Sequence, residues 1–332
     1  MQKLIAILIL SIAVFSCDGN FGNQELLLPG SNGRQNEMLV VVNYQDWEGK
    51  IGTALKNVLH SDVLGLPLPE PQFTTQSIDP KNFTGTLQYN RNILRVKVKD
   101  STALIIKHNV SARPQIYMTI QGPNQESIVD LIKKNENKII RAFKDSDIKA
   151  MQKRFDKQAH NNTFKLFEAQ GISLRVPTDY YVVKDEDNFI EFRKDFTSGP
   201  YNFTGGMHVI AYTLPLEVPF SNIKDSLISI RDNIGEKHLK GLSENSYIIT
   251  EERYTPHVFN AELAGNKAYR TQGKWLLKNG AEAGPFINYT VEDKANKRLI
   301  VVEGLVYAPP LSKRDMMFEV EAIVRSLKIK KN

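Results

Sequence analysis

One cysteine stands in 332 residues, and it is Cys17. No intramolecular disulfide can therefore staple this chain, and its fold has to rest on burial. The stretch ahead of that cysteine adds a second constraint. Met1, Gln2 and Lys3 give a short positive start, Leu4 to Phe15 is apolar apart from Ser11, and small Ser16 directly precedes Cys17. A positive start, an apolar run of this length and a small residue at the cut describe a secretory signal and not a membrane span. About a dozen residues reach only ~18 Å as a helix, against a hydrocarbon core of ~30 Å. Residues 1–16 are thus expected to be removed, leaving a chain still long enough for one or two proper cores.

A cysteine directly behind such a cut resembles the signal of bacterial lipoproteins. The resemblance implies that Cys17 is acylated, carries palmitate-type chains and becomes the mature N-terminus. Acyl chains hold a protein on its membrane without a transmembrane helix, at ~0.8 kcal/mol for each buried CH₂. Asp18 to Gln35 is rich in Gly and Asn and shows no helical or strand period. Residues 17–35 read as a tether, which as a coil would span roughly 20–25 Å. It lacks the acidic run after the cysteine that favours export to the outer surface in lipoproteins of this kind. The expected position is the bacterial envelope, membrane-anchored and facing the periplasm.

Charge and motifs exclude several function classes. Removing residues 1–16 takes away one of the 43 basic side chains, against 37 acidic ones. The balance stays mildly positive, and no basic stripe interleaved with aromatics marks a nucleic-acid surface. None of His60, His108, His160, His208, His238 and His257 pairs with another at metal-ligand spacing, so neither a metal nor a cofactor is expected. There is no HExxH, no Gly-x-Ser-x-Gly elbow and no phosphate-cradling Gly-rich loop. Gly205-Gly206-Met207-His208 reads as a turn into a strand.

Periodicity divides the chain into an N-terminal α/β half over 36–162 and a C-terminal α+β half over 163–332. In the first, strands are expected at Met38–Val42, Ile93–Val98, Ala103–Lys107 and Gln115–Ile120. Asp46 is the expected cap of a helix bearing Trp47, Ile51, Leu55 and Leu59. The three prolines of Gly65–Pro71 exclude a central strand. Amphipathic helix is expected from Gln125 to about Lys157, with a break at Asp145-Ser146-Asp147. In the second half, strands are expected at Ile172–Val176, Tyr180–Val183, Phe189–Arg193, Met207–Thr213, Pro285–Val291 and Leu299–Val306. Helices are expected from Phe220 to about Lys240 and from Ser312, as cap, to Leu327. Strands grouped between helices indicate an α+β fold of antiparallel sheets with packed helices.

Several segments, taken in order, resemble one family. They are Asn36–Val41 (NEMLVV), Gly65–Phe73 (GLPLPEPQF), Arg91–Leu94 (RNIL), Arg231-Asp232, Arg270 with Gly273 and Trp275, Gly284-Pro285-Phe286, and Glu303–Arg314 (EGLVYAPPLSKR). Their order and spacing are similar to a Bacteroidota lipoprotein family described only as domain of unknown function 4837. The resemblance spans nearly all of the chain after Cys17 and implies an envelope lipoprotein without a stated activity. A second resemblance covers about Thr163 to Lys330. Gly171–Pro177, Gly304–Tyr307 and the closing Arg325-Ser326-Leu327-Lys328 resemble the PsbP/Mog1-like α-β-α sandwich, whose members mostly bind partners.

The residues left for a site are charged and aromatic positions in or beside apolar strands. Arg231, Asp232, Arg270, Trp275, Glu303 and Arg314 form the candidate ligand-binding set, because paired arginines hold a carboxylate or phosphate bidentately. The alternative is structural, with Glu303 satisfying an arginine and Trp275 covering the core. Asp100-Ser101-Thr102 resembles an O-glycosylation acceptor, which makes Ser101 the candidate glycosylation site. The leading expectation is a non-catalytic binding or scaffolding module with an envelope protein partner. Its rival is a hydrolase with Asp232, Glu303 and the arginines gathered in a cleft between the halves.

Overall fold

The computed structural model describes residues 28–161, 163–198, 202–216 and 223–330. The expected signal peptide, Cys17 and the first part of the expected tether lie outside the described residues, as does the expected helix start at Phe220. The chain joins the fold earlier than expected. Arg113 N–H donates to the Pro29 carbonyl and Asn32 N–H to the Tyr89 carbonyl, each at 2.8 Å.

The N-terminal half contains β1 (Glu37–Val41), α1 (Tyr44–Glu48), α2 (Lys50–Leu59), β2 (Thr74–Ile78), β3 (Asn92–Val98), β4 (Ala103–His108), β5 (Ile116–Gly122), α3 (Gln125–Lys134) and α4 (Glu136–Phe155). Its sheet runs β2-β1-β3-β5-β4. The pairings β1–β2, β1–β3 and β3–β5 are parallel, and only β4 is antiparallel to β5. The expectation of antiparallel sheets therefore does not extend to this half. The helices α1 and α2 return the chain from β1 to parallel β2, as parallel pairing requires, whereas β4 itself carries the chain back between parallel β3 and β5. β2 escapes sequence reading because TTQSI is a polar edge strand with one large apolar residue.

Two caps differ from expectation in the same half. The side chain of Asn43, not Asp46, caps α1 by accepting the Asp46 N–H at 2.8 Å, and Gly49 then separates α1 from α2. The expected break at Asp145–Asp147 is absent, and the chain breaks instead at Asn135. Those two aspartates serve tertiary contacts. Asp147 accepts from Asn36 N–H at 3.0 Å and Asn92 Nδ2 at 2.9 Å, and Asp145 from Arg325 at 2.8 Å.

The C-terminal half contains α5 (Lys165–Gln170), β6 (Ile172–Ser173), β7 (Tyr181–Asp185), β8 (Phe189–Ser198), β9 (Phe203–Pro215), α6 (Ile223–His238), β10 (Tyr247–Thr250), β11 (His257–Leu263), β12 (Asn266–Lys278), β13 (Ala283–Asp293), β14 (Arg298–Tyr307), α7 (Arg314–Val324) and β15 (Lys328–Ile329). Eight of these strands form one antiparallel sheet, β10-β12-β13-β14-β9-β8-β7, with β11 sharing the outer edge of β12. Leu166, Phe167, Val320, Ile323 and Val324 of α5 and α7 pack on one face. Ile230 and Ile234 of α6 pack on the other, so helices cover both faces in an α-β-α arrangement. Gly304 permits the close approach of α7, since a Cβ there would lie 2.6 Å from Val320 Cβ and Cγ2. The expected strand at Ile172–Val176 pairs only over Ile172–Ser173, with β15, although Leu174 and Val176 stay buried.

Two connections fix how the halves meet. The first is α4, whose Ile139 and Phe143 enter the N-terminal core while Ile148, Met151 and Phe155 enter the C-terminal one. The second is Glu70, on the proline-rich loop. Ser312 is not the cap of α7. The Glu70 carboxylate takes that place, accepting from Lys313 N–H at 2.7 Å and Arg314 N–H at 3.0 Å. A carboxylate there satisfies orphan donors and complements the positive helix end. The rigid prolines hold it where a flexible loop would have to be ordered first.

Candidate functional site

The six candidate ligand-binding residues divide between opposite faces of the eight-stranded sheet. On the α6 face, Arg231 Nε meets Glu303 Oε1 and Oε2 at 3.0 and 3.2 Å, and its Nη2 lies 2.9 Å from Oε1. Asn288 Nδ2 donates to Oε2 at 2.9 Å. The guanidinium stacks 3.9 Å above the centre of Phe286 and donates through Nη1 to Thr250 Oγ1 at 3.1 Å. Thr250 in turn donates from N–H and Oγ1 to Asp232 Oδ1, both at 2.7 Å. Burial and the Glu303 charge push the neighbouring Tyr212 hydroxyl well above its ordinary pKa.

This network is closed. The Glu303 side chain is fully buried and that of Arg231 is 6% exposed, so neither opens to solvent or to the cleft, although Arg231 Nη2 and Trp275 Nε1 make no hydrogen bond. Buried charges persist in a low-dielectric interior only when paired and hydrogen-bonded, and that is how α6 is fastened to β14. Trp275 lies in the same small core with Phe286 and Leu305.

Arg270 and Arg314 face the other way, into a cleft of about 740 Å³ between the halves. The loop at 63–66 and α4 form one wall, and β11, β12 and α7 the other. The structure thus provides the expected inter-half cleft but does not gather Asp232 and Glu303 into it. The alternation of a strand explains the split. Glu303 shares its face with Val301 and Leu305, whereas Arg270 shares its own with Ala268 and Gln272.

Four cleft residues were not singled out from the sequence: Arg141, Lys144, Glu321 and Arg325. Glu321 Oε1 accepts from Tyr289 Oη at 3.2 Å and lies 3.5 Å from Arg270 and 3.9 Å from Arg325. The Arg270 Nε is buried without a hydrogen-bond partner. Arg141 is exposed at the rim with no ion pair among the described residues. Lys144 donates to Asn36 Oδ1 at 2.6 Å and to the Gln72 carbonyl at 2.7 Å, with the Phe73 and Phe318 rings over its amine. Burial, with Arg314 nearby, brings its pKa down to about 7 against the opposing pull of Glu321, Asp147 and Asp315. One signal for Lys144 was present: it falls between Ile140 and Ile148 at i, i+4 spacing, on an otherwise apolar helical stripe.

Arg314 is largely committed to structure, donating to Asp315 at 2.9 Å and the Pro71 carbonyl at 3.1 Å. Ser101 is exposed, and its Oγ accepts from Gln121 Nε2 at 2.9 Å. Among the described residues, no group of three His, Cys, Asp or Glu side chains is placed to hold a metal. No helix among them is long and apolar enough to cross a membrane.

Two family models match separate stretches of the chain. A family described as Domain of unknown function (DUF8532) matches residues 31–156. No curated protein matches the chain. Solved structures that match it include two that resemble about half of the chain. LpqN, involved in cell envelope biogenesis of Mycobacterium tuberculosis, is 17% identical with a TM-score of 0.30, over 48% of this chain and 83% of that one. The Saccharomyces cerevisiae Ran-binding protein Mog1p is 12% identical with a TM-score of 0.34, over 48% and 90%. Scores this low assign neither function nor partner. The N-terminal segments NEMLVV, GLPLPEPQF and RNIL fall within the 31–156 match, so the resemblance spans two families that meet just after α4. Residues 158–326 match the family described as Domain of unknown function (DUF4837), about half of the chain, and the chain belongs to that family.

Proposed function

We propose that this chain is a lipid-anchored, periplasm-facing binding module of the bacterial envelope. Its ligand is an amphipathic molecule with a carboxylate or phosphate head, held in the cleft between the halves. The observation that carries the reading is the cleft wall itself. Arg141, Lys144, Arg270 and Arg325 line it beside Leu64, Phe259 and Met317, in a volume typical of small-molecule sites. Arginines supply forked donors for an anionic head, and the apolar wall takes a hydrocarbon part.

Dodecyl phosphate is a suitable probe, with inorganic phosphate as its headgroup control. Calorimetric titration is expected to show binding of the first, weakened at least about 10-fold by Arg270→Ala with Arg325→Ala, since charge-assisted hydrogen bonds contribute ~1.5–3 kcal/mol each. Equal affinity in wild type and variant would remove the site from the cleft.

The anchor rests on the sequence before and at Cys17. Cell fractionation tests it. After a high-salt wash that releases electrostatic headgroup contacts, the wild-type chain is expected in the membrane fraction and signal-cleaved Cys17→Ser in the soluble one; a cleaved variant that stays with the membrane through the wash would sink the lipid anchor.

A further inference from the structure

We propose that the open face of the N-terminal sheet, formed by β3, β5 and β4, is a docking surface for anionic lipid headgroups. Leu94, Val96, Met118 and Ile120 turn toward the helices α2, α3 and α4 and form the core. The alternate residues turn away from it. In register, Arg95 lies beside Thr119 and Lys97 beside Gln121, while Ile105 and Lys107 of β4 lie beside Thr119 and Tyr117. Part of this side is covered where Phe83 and Leu87 pack on Leu39, Val41 and Ile93. The remainder presents Lys97, Lys99 and Lys107 around a 38% exposed Ile105, with half-buried Arg95 at its inner edge against the Phe83 ring and Tyr117 Oη.

These cations are uncompensated. None of the four makes an ion pair among the described residues. Lys97 is held below its ordinary pKa by partial burial and then by Arg95, Lys99 and Lys107, with no carboxylate acting on it. Like charges held together on a rigid sheet cost free energy that an anionic surface would relieve. Ile105 adds an apolar contact of the sort that sits at a headgroup boundary.

The way the chain enters the fold selects a membrane as the occupant. Gly30 bridges to Arg113 and Asn32 to Asn90, at the ends where β5 and β3 begin. Only eleven residues separate Cys17 from Pro29, and fully extended this stretch spans at most ~40 Å. An acylated Cys17 would therefore keep this face within reach of the bilayer. For that placement the inference rests on the anchor reading, but headgroup binding can be tested without it.

The test uses the processed chain from Cys17 onward, with Cys17→Ser so that no acyl chain contributes. Co-sedimentation is measured with vesicles of pure phosphatidylcholine and with vesicles containing 30% phosphatidylglycerol. Binding is expected only to the second and should fall steeply as salt screens it. Lys97→Glu with Lys99→Glu and Lys107→Glu should weaken it at least about 10-fold. The control triple Lys133→Glu, Lys134→Glu and Lys138→Glu makes the same change in net charge on the helices behind the sheet, and should weaken it less than about 3-fold. Absence of binding to anionic vesicles, or an equal loss with both triples, would overturn the proposal. Circular dichroism of both triples guards against misfolding. Because this chain has no acyl group, a negative result here is distinct from a failure of the Cys17→Ser fractionation.

Discussion

Replacing Glu303 with alanine is expected to destabilise the protein by about 3–5 kcal/mol, the usual cost of stranding one partner of a buried ion pair. The Arg231 guanidinium would lose its only bidentate carboxylate in a setting where its side chain is 6% exposed. Asn288 Nδ2 would lose its acceptor as well. Thr250 and the Phe286 ring remain near Arg231 but cannot neutralise its charge, and Asp232, with Oδ1 3.7 Å from Nη1, is a quarter exposed and already accepts both hydrogen bonds from Thr250. Removing both charges together, as in Arg231→Met with Glu303→Leu, should cost much less, because no isolated charge is then left behind. Urea unfolding at constant m-value measures both. A loss below about 1 kcal/mol for Glu303→Ala would mean that water or the nearby Asp232, 3.7 Å from Nη1, compensates Arg231 without Glu303, and that the pair does not fasten α6.

The second large effect is a pH dependence. Lys144 has a pKa of about 7 in the folded chain against 10.5 for an ordinary lysine. Between those values the unfolded chain holds a proton that the folded chain has released, so stability should rise with pH across that window. Below about 7 both states are protonated and the contribution is lost. Lys144→Met should lack the rise. Its own cost, from leaving Asn36 Oδ1 and the Gln72 carbonyl without their donor, does not vary with pH. The stability gap between wild type and Lys144→Met should thus shift in favour of wild type by about 2–4 kcal/mol from pH 7 to pH 10. The comparison cancels the tyrosines, including Tyr289, whose raised pKa affects stability only above about pH 10. A constant gap would show that Lys144 stays charged in the fold.

Both effects concern residues on which sequence reasoning had an uneven hold. Arg231, Asp232 and Glu303 stood out as charges in apolar surroundings, and their convergence is real, but it fastens a helix to a sheet. Lys144 was passed over although it interrupts an apolar helical stripe, because a lone lysine on a surface helix is ordinarily a solvated group. Helix ends were misplaced where a distant residue supplied the cap. Glu70 satisfies the start of α7 from more than two hundred residues upstream, and no local pattern near Ser312 could reveal that. The break placed at Asp145–Asp147 failed for the related reason that those carboxylates reach other elements.

The sequence by itself determined which segments would be strand or helix over most of the chain, that no disulfide would join them, and the family of the C-terminal half. Those properties follow from local periodicity, residue type and order. Tertiary structure decided the parallel pairing of the N-terminal sheet, the sharing of α4 between two cores, and the separation of Arg270 from Glu303. Alternation along a strand says which residues share a face, but what covers that face depends on elements far away in the chain. An arginine is a sealed fastening under α6 at Arg231 and part of the open cleft wall at Arg270, and that difference is set by packing.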